Sequence, residues 1–170
     1  FMLSASPVCI YSRNAKDGYR ISFMSGNVRN VFGFESAKFL RDPIFWRDRL
    51  HADDADSVLD VLANLHEHEK RTIQYRFKLG DGGYCWIYDE LRLVRDENGI
   101  PSEIIGSWTR IDEFKRTEAN LHRMAKVFLN VSEPILIEDL YGKVIDMNME
   151  AEKVYGWSRT ELIGRTIKTI

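Results

Sequence analysis

The sequence predicts an α+β fold, a five-stranded antiparallel sheet with helices packed on one face, followed by a linker helix. Two apolar segments with strand character come first, several short amphipathic segments follow, and three alternating segments separated by turn residues come last. Strands grouped at the two ends of a domain, with helices between them, are typical of an antiparallel sheet covered on one side.

The first two predicted strands form a hairpin. Residues 7–11 are apolar, residues 14–18 read Asn-Ala-Lys-Asp-Gly, and residues 19–24 form the return strand. Short helices are predicted over 27–32, 36–40 and 44–49. A longer helix is predicted over 53–68 because apolar residues recur there at helical spacing. These residues are Val58, Leu59, Val61, Leu62 and Leu65.

Three further strands complete the predicted sheet, over residues 72–79, 84–95 and 102–111. They are separated by Asp81-Gly82-Gly83 and by Asp96-Glu97-Asn98-Gly99. Both segments favour tight turns, because aspartate, asparagine and glycine accept the backbone angles that hairpins require.

One stretch of the chain is repeated. Residues 21–40 match residues 144–163 in a single register, in which Val31-Phe32-Gly33-Phe34 aligns with Val154-Tyr155-Gly156-Trp157. Each copy is predicted as a strand, a short helix ending at a glycine with positive φ, and a second helix that begins after a serine. The second copy lacks the later strands, so we expect either that another subunit covers its apolar residues or that this segment is poorly ordered. These are Ile135, Ile137, Val144 and Ile145.

The segment after residue 111 has the pattern of an amphipathic helix. Apolar residues occupy two interleaved positions of a seven-residue repeat, as in a short coiled coil. They are Phe114, Leu121 and Phe128, with Thr117, Met124 and Val131 between them. A helix that packs back on its own sheet would show the same pattern, so both interpretations are open.

Composition excludes several classes of function. The chain has 24 basic and 26 acidic residues and a net charge of −2, which gives no reason to expect nucleic acid or an anionic membrane as a partner. No apolar run approaches the roughly 18 residues of a membrane span, and no signal peptide is recognisable. Cys9 and Cys85 are far apart, so we expect buried, reduced thiols and a cytoplasmic location.

Three groups of residues resemble the PAS domain family with its C-terminal PAC motif. The first is the repeated Gly-aromatic element. The second, residues 45–54, reads Phe-Trp-Arg-Asp-Arg-Leu-His-Ala-Asp-Asp and is similar to the family's W-x-x-x-[IVL]-H-P-x-D segment. The third runs from Tyr75-Arg76-Phe77 through Trp86-Ile87 to Ile105-Gly106. The resemblance covers about residues 6–118, and a truncated second PAS start covers 130–170.

Two places depart from the family pattern. Ala52 replaces the usual proline, which loosens the turn there. Arg110-Ile111-Asp112 stands where the family usually has Asp-Ile-Thr, at the junction that couples the domain to the following helix.

The resemblance implies a sensory input module of a bacterial signal-transduction protein, without catalytic activity of its own. We expect a PAS/PAC domain over residues 1–112, an amphipathic linker helix over 113–130 and part of a second PAS domain over 131–170. The expected partners are a second copy of the chain, through the linker helix and a sheet or flanking-helix surface, and an output domain such as a histidine kinase or diguanylate cyclase. The alternative is a structural dimerisation module with a filled core and no ligand.

Few residues suggest catalysis or a cofactor. His51, Asp53 and Asp54 lie close together, but Asp53 or Asp54 is expected to cap the next helix. His66 and His68 are two residues apart near the polar end of a helix, which argues against the haem ligation of some PAS relatives. The reactive cysteine helix of flavin-binding PAS domains has no counterpart. We expect no catalytic residue, metal, haem or flavin, and either an unidentified small molecule or no ligand.

The predicted site is the helix-covered face of the sheet. Asp89 shares a strand face with Cys85 and Ile87, and a carboxylate on an apolar face is costly unless it is hydrogen-bonded or meets a ligand. Trp86 and Tyr88 point the other way, and Trp108 is expected to join them in a partner surface. The candidate ligand-binding residues are Trp46, Leu62, Tyr75, Phe77, Ile87, Asp89 and Ser107.

Overall fold

The structure is a computed structural model that describes residues 6–16 and 18–166. The chain divides into two compact units, Phe1–Lys115 and Arg116–Ile170. In the part of the chain that the structure describes, no helix is both long and apolar enough to cross a membrane.

The first unit contains a five-stranded antiparallel sheet, which confirms the predicted fold class. Its strands are β1 (Val8–Asn14), β2 (Ile21–Met24), β3 (Lys70–Lys78), β4 (Tyr84–Arg95) and β5 (Pro101–Arg110). They lie in the order β2-β1-β5-β4-β3, so the first and last strands of the unit meet in the centre of the sheet. Side chains from β1, β3, β4 and β5 therefore converge on one region beneath the helices.

Two short helices and a longer one lie between β2 and β3, as the sequence predicts. They are α1 (Val28–Phe32), α2 (Ser36–Arg41) and α3 (Ala52–Ala63). The segments predicted as helix over 44–49 and as the last turn of 53–68 are instead single 3-10 turns, Arg47–Arg49 and Leu65–Glu67. α3 stops early because the Asn64 side chain donates to Asp60 O at 3.0 Å and to Asp60 Oδ1 at 2.9 Å, which competes with continued helix.

The start of α3 corrects a prediction. Neither Asp53 nor Asp54 is the N-cap, because His51 occupies that position and its Nδ1 accepts from Asp53 N at 3.3 Å. The two aspartates lie in the first helical turn, where the helix dipole favours negative charge.

The interior of the first unit follows the strand alternation of β4. Cys85, Ile87, Asp89 and Leu91 are buried, while the residues between them are partly exposed, as predicted. β1 ends three residues later than predicted, and a register shift between Ser12 and Arg13 interrupts its pairing with β2. The extra residue is Ser22 of β2, whereas β1 keeps an unbroken register with β5 through Asn14. Arg13 therefore continues the inward-facing set of Cys9 and Tyr11, and it is only 1% exposed.

The repeated element of the sequence is also repeated in the structure. In the second unit, β6 (Leu136–Glu138) and β7 (Val144–Met147) form a hairpin that leads into α5 (Met149–Tyr155) and α6 (Arg159–Leu162). α1 ends at Gly33 with φ 81°, and α5 ends at Gly156 with φ 75°. Both glycines adopt the left-handed conformation that the sequence comparison predicts.

A buried asparagine strengthens this correspondence and was not predicted. Asn27, at the N-cap of α1, donates through Nδ2 to Ser6 O at 2.9 Å and Val8 O at 2.8 Å. Asn148, at the N-cap of α5, donates to Glu133 O at 2.9 Å. Each asparagine therefore holds the backbone at, or just before, the start of the first strand of its hairpin.

The second unit has its own small core. Val144, Met147, Ala151 and Leu162 are buried together, so the expectation that Val144 needs cover from another subunit is wrong. The other three residues named in that prediction remain partly or well exposed, and for these the prediction stays open. The serine cap predicted for the second helix is present at Ser158, whose capping box includes Glu161.

The helix α4 (Asp112–Asn130) follows β5 directly, where the linker helix is predicted. All of its nineteen residues are described, and none is buried. Phe114, Leu121 and Met124 of the seven-residue pattern are 61%, 64% and 70% exposed. The apolar stripe is therefore open to a partner.

Candidate functional site

The carboxylate of Asp89 is the centre of a buried polar cluster in the first unit. Tyr11 Oη donates to Asp89 Oδ1 at 2.8 Å, and Tyr75 Oη donates to Oδ2 at 2.9 Å. Trp108 Nε1 donates to Oδ2 at 2.9 Å. Asp89 is 2% exposed, and its three donors come from β1, β3 and β5, so one carboxylate connects four strands of the sheet.

Aromatic rings enclose this cluster. The ring of Trp108 lies 5.1 Å from the ring of Tyr11 and 5.3 Å from that of Phe77, between centroids. Tyr11 is accommodated because its neighbour on β5 is Gly106, where an added Cβ would overlap Tyr11 Cζ and Oη. The donors are thus held in place by packing as well as by hydrogen bonds.

Burial raises the pKa of the acid and of its two phenol donors, because it disfavours the charged form of each. Desolvation raises the pKa of Asp89 to about 6, although Arg13 and the three donors favour the ionised form. Desolvation also raises the pKa of Tyr11 and Tyr75 well above the usual value, so both phenols remain protonated donors. At neutral pH the cluster therefore contains a carboxylate with a full set of donors.

A second buried charge lies beside the first. The guanidinium carbon of Arg13 is 3.9 Å from the ring centroid of Trp46 and 4.7 Å from that of Tyr11. Arg13 Nε and Nη1 are buried and have no hydrogen-bond partner among residues 6–16 and 18–166. Aromatic rings thus pack over this guanidinium, but two of its nitrogens donate no hydrogen bond. Unpaired N–H groups of a buried charge cost free energy in a low-dielectric interior.

Six of the seven predicted site residues lie in this interior. Tyr75 and Asp89 are hydrogen-bonded to each other, and Trp46 contacts Arg13. The others, Leu62, Phe77 and Ile87, are buried in the same hydrophobic core.

The seventh predicted site residue, Ser107, does not lie in this interior. The prediction that Trp108 belongs to an outer surface is wrong for the same reason. In β5, Trp108 pairs with Cys9 and Asp89, which both face the helices, so Trp108 is fully buried rather than part of an outer surface. Ser107 must then lie on the opposite face, opposite Glu90, where it is half-buried. Trp86 and Tyr88 are on that outer face, as predicted.

The histidine and aspartate residues near the start of α3 have a structural role. Asp54 accepts from Arg76 Nε at 2.9 Å and Nη2 at 2.7 Å, which ties α3 to β3. This ion pair lowers the pKa of Asp54. Among residues 6–16 and 18–166, no three histidine, cysteine or acidic side chains are grouped to hold a metal ion. His66 and His68 lie on the surface.

The two cysteines are buried free thiols. Burial raises the pKa of Cys9 and of Cys85 to about 12, so neither is a reactive thiolate at neutral pH.

The junction between β5 and α4 is held by Arg110 and Asp112. Asp112 Oδ1 accepts from Trp86 N at 2.8 Å, and its Oδ2 accepts from Arg110 Nε at 3.0 Å and Nη2 at 2.8 Å. Arg110 Nη1 also donates to Val31 O at 3.2 Å. The side chains that depart from the usual Asp-Ile-Thr pattern therefore connect α1, β4, β5 and α4.

Sequence reasoning missed three residues of the cluster, Tyr11, Arg13 and Trp108. Tyr11 and Arg13 follow Cys9 at alternate positions of one strand, so extending the predicted strand by two residues would have placed both on the inner face. Trp108 was assigned to the wrong face because no register between β4 and β5 was available.

The pH dependence of stability tests the Asp89 cluster. The pKa of Asp89 is about 6 in the folded protein against roughly 3.9 in the unfolded chain, so protonation favours the folded state. The stabilisation that comes from protonated Asp89 is complete below pH 4 and is lost as the pH rises through 6. The free energy of unfolding should therefore fall by about 3 kcal/mol over this range.

The measurement is chemical denaturation between pH 4 and 8 for the wild type, Asp89→Asn and Glu90→Gln. We expect Asp89→Asn to remove this pH-dependent part, while Glu90→Gln, on the outer face, retains it. Identical pH profiles for the wild type and Asp89→Asn would contradict the assignment.

Two curated relatives match the chain over most of its length. The two-component sensor PprA of Pseudomonas aeruginosa is 28% identical over 113 residues, which are 66% of this chain and 12% of that protein. The sensor protein FixL of Bradyrhizobium diazoefficiens is 24% identical over 127 residues, 72% of this chain and 25% of that protein. The chain thus spans a quarter or less of the length of these relatives.

Solved structures show the same fold. The N-terminal domain of a diguanylate cyclase with PAS/PAC sensor from Marinobacter aquaeolei has a TM-score of 0.58 and 21% identity, over 64% of this chain and 98% of that chain. A sensory box histidine kinase/response regulator from Burkholderia thailandensis has a TM-score of 0.59 and 24% identity, over 73% and 92%.

The family profile described as the PAS fold matches residues 21–108, more than half of the chain. These residues include β2 to β4, most of β5 and the helices between them, with Tyr75, Asp89 and Trp108 of the buried cluster. The chain therefore belongs to the PAS fold family.

Proposed function

We propose that this chain is a sensory input module of a bacterial signal-transduction protein, which responds to a small molecule in the core of its PAS domain. The observation that carries the proposal is the pair of buried charges, Asp89 and Arg13, inside an otherwise apolar core. Buried charges are costly, and perturbed groups of this kind cluster at functional sites. The residues around them bind and position; none is assigned a catalytic role.

The buried cluster has a short covalent and hydrogen-bonded route to the outside. Trp108, which donates to Asp89, lies two residues before Arg110 on β5. Arg110 and Trp86 N both bind Asp112, the first residue of α4. A rearrangement around Asp89 that moves Trp108 therefore shifts the contacts that fix the start of α4.

We propose three segments in this chain. Residues 1–112 form the PAS/PAC input domain, residues 113–130 the linker helix, and residues 131–170 the beginning of a second PAS domain. The repeat of hairpin, left-handed glycine and N-cap asparagine supports the last assignment. The named sensors among the relatives support an output domain such as a histidine kinase.

The proposed ligand is a small molecule other than haem or flavin. His66 and His68 lie on the surface, and neither cysteine is a reactive thiolate at neutral pH. Two buried free thiols fit a reducing compartment, which supports a cytoplasmic location.

Hydrogen exchange tests the route from Asp89 to the linker helix. Asp89→Asn should increase amide exchange in the first two turns of α4, by about tenfold if the junction loses about 1.4 kcal/mol. The measurement is hydrogen–deuterium exchange read by mass spectrometry on folded protein at pH 7.

The matched control is Glu90→Gln, the same chemical change one residue later on the opposite face. In the described part of the chain, Glu90 forms an exposed ion pair with Lys70 at 2.7 Å and no other side-chain bond, so its loss should leave exchange in α4 unchanged. If both variants change α4 equally, or neither does, the proposed route is wrong.

Dimerisation through α4 is a second candidate function. It requires only the exposed stripe of Phe114, Leu121 and Met124, which no residue of the described chain buries. On this account the module serves as a structural dimerisation element, and the core needs no ligand. The two functions are compatible, since a relay helix often lies in a dimer interface.

Size-exclusion chromatography with light scattering tests the dimer. We expect the wild type to form a dimer, because pairing two helices would remove this stripe from water. Leu121→Glu should shift the mass to that of a monomer, since it places a charge in the stripe. Ala119→Glu adds the same charge outside the stripe and should leave the dimer intact. A monomeric wild type would exclude this interface.

A further inference from the structure

The two buried charges of the core differ in how well they are satisfied. Asp89 receives hydrogen bonds from three side chains. Arg13 is 1% exposed, and its Nε and Nη1 have no partner. The excess of donors over acceptors in the cluster therefore lies entirely at Arg13.

The geometry around Arg13 determines where an acceptor can lie. Trp46 and Tyr11 lie over the guanidinium, at 3.9 and 4.7 Å from its carbon to their ring centroids. Hydrogen bonds of a guanidinium lie in its plane, so the rings packed over it do not accept from Nε–H and Nη1–H, and both groups lack a partner among the described residues.

We propose that Arg13 is the anchor of a ligand site for a small monocarboxylate, which accepts hydrogen bonds from the unpartnered nitrogens of its guanidinium. This inference rests on the proposed sensory function and names the class of ligand for the same core.

Three features select this class. A guanidinium binds the oxygens of a carboxylate through strong, charge-assisted hydrogen bonds. Asp89 already places one negative charge in the cluster, so an anion with two or more charges is disfavoured by repulsion. The rings of Tyr11 and Trp46 are themselves almost fully buried, which restricts the ligand to a few heavy atoms and offers its carbon an apolar surface.

Two neighbours of Arg13 line an open cavity. An open cavity of about 340 Å³ is lined by Asn14, the next residue of β1, and by Ile21, which pairs with Arg13 across the bulge. Arg20 also lines this cavity and adds a positive charge at its rim. Arg20 would therefore attract an anion to the surface beside Arg13.

Acetate is the probe for this site. We expect sodium acetate to bind the wild type saturably in isothermal titration calorimetry, while acetamide, sodium chloride and sodium phosphate at matched ionic strength do not. Arg13→Met should weaken acetate binding by at least about tenfold, because it removes the charged hydrogen bonds. Arg20→Met keeps the core donors and should change the affinity far less.

A direct readout covers the case in which Arg13→Met does not fold. In wild-type protein labelled with ¹⁵N, acetate should shift the Nε–Hε resonance of Arg13 saturably, and acetamide should not. Acetate that acts no differently from chloride, or that binds Arg13→Met as well as the wild type, overturns the proposal. Loss of acetate binding leaves the hydrogen-exchange test of the Asp89 route unaffected, so the two proposals fail separately.

Discussion

The hydrogen bonding of one buried carboxylate holds the sheet of the PAS domain together. Asp89 on β4 receives Tyr11 from β1, Tyr75 from β3 and Trp108 from β5. Each donor is also packed by its neighbours, and Tyr11 fits only because Gly106 has no side chain. Removing the carboxylate would leave three buried donors without an acceptor, at about 1–3 kcal/mol each.

The same interaction makes the core sensitive to pH and to bound ligands. An ordinary apolar core has no group that changes charge near neutral pH, whereas burial raises the pKa of Asp89 to about 6. Arg13 brings an opposite charge nearby without satisfying its own nitrogens. One buried charge of the core, Asp89, has its hydrogen-bond partners, and the other, Arg13, lacks some of them. A ligand that supplies the missing acceptors would stabilise the folded protein.

The sequence predicts the order of the elements and the inner face of β4, because both depend on local patterns of period two and on turn residues. It does not predict Ser107 and Trp108 correctly, since their faces depend on the register between β4 and β5. Arg13 lies beyond the predicted strand over 7–11, because Ser12, Arg13 and Asn14 are polar and do not continue its apolar pattern. The buried asparagines at two helix starts were missed because the helices differ in length, so Asn27 and Asn148 do not align.

The pKa of Asp89 is the most direct test of this account. Labelling of aspartate side-chain carboxyl groups with ¹³C, and comparison with Asp89→Asn to assign the signal, allows its titration to be followed by nuclear magnetic resonance. The account predicts an apparent pKa of about 6, with the ionised form dominant at neutral pH. A pKa of 4 or lower, as roughly expected for an exposed aspartate, or a carboxyl that stays protonated above neutral pH, would contradict it.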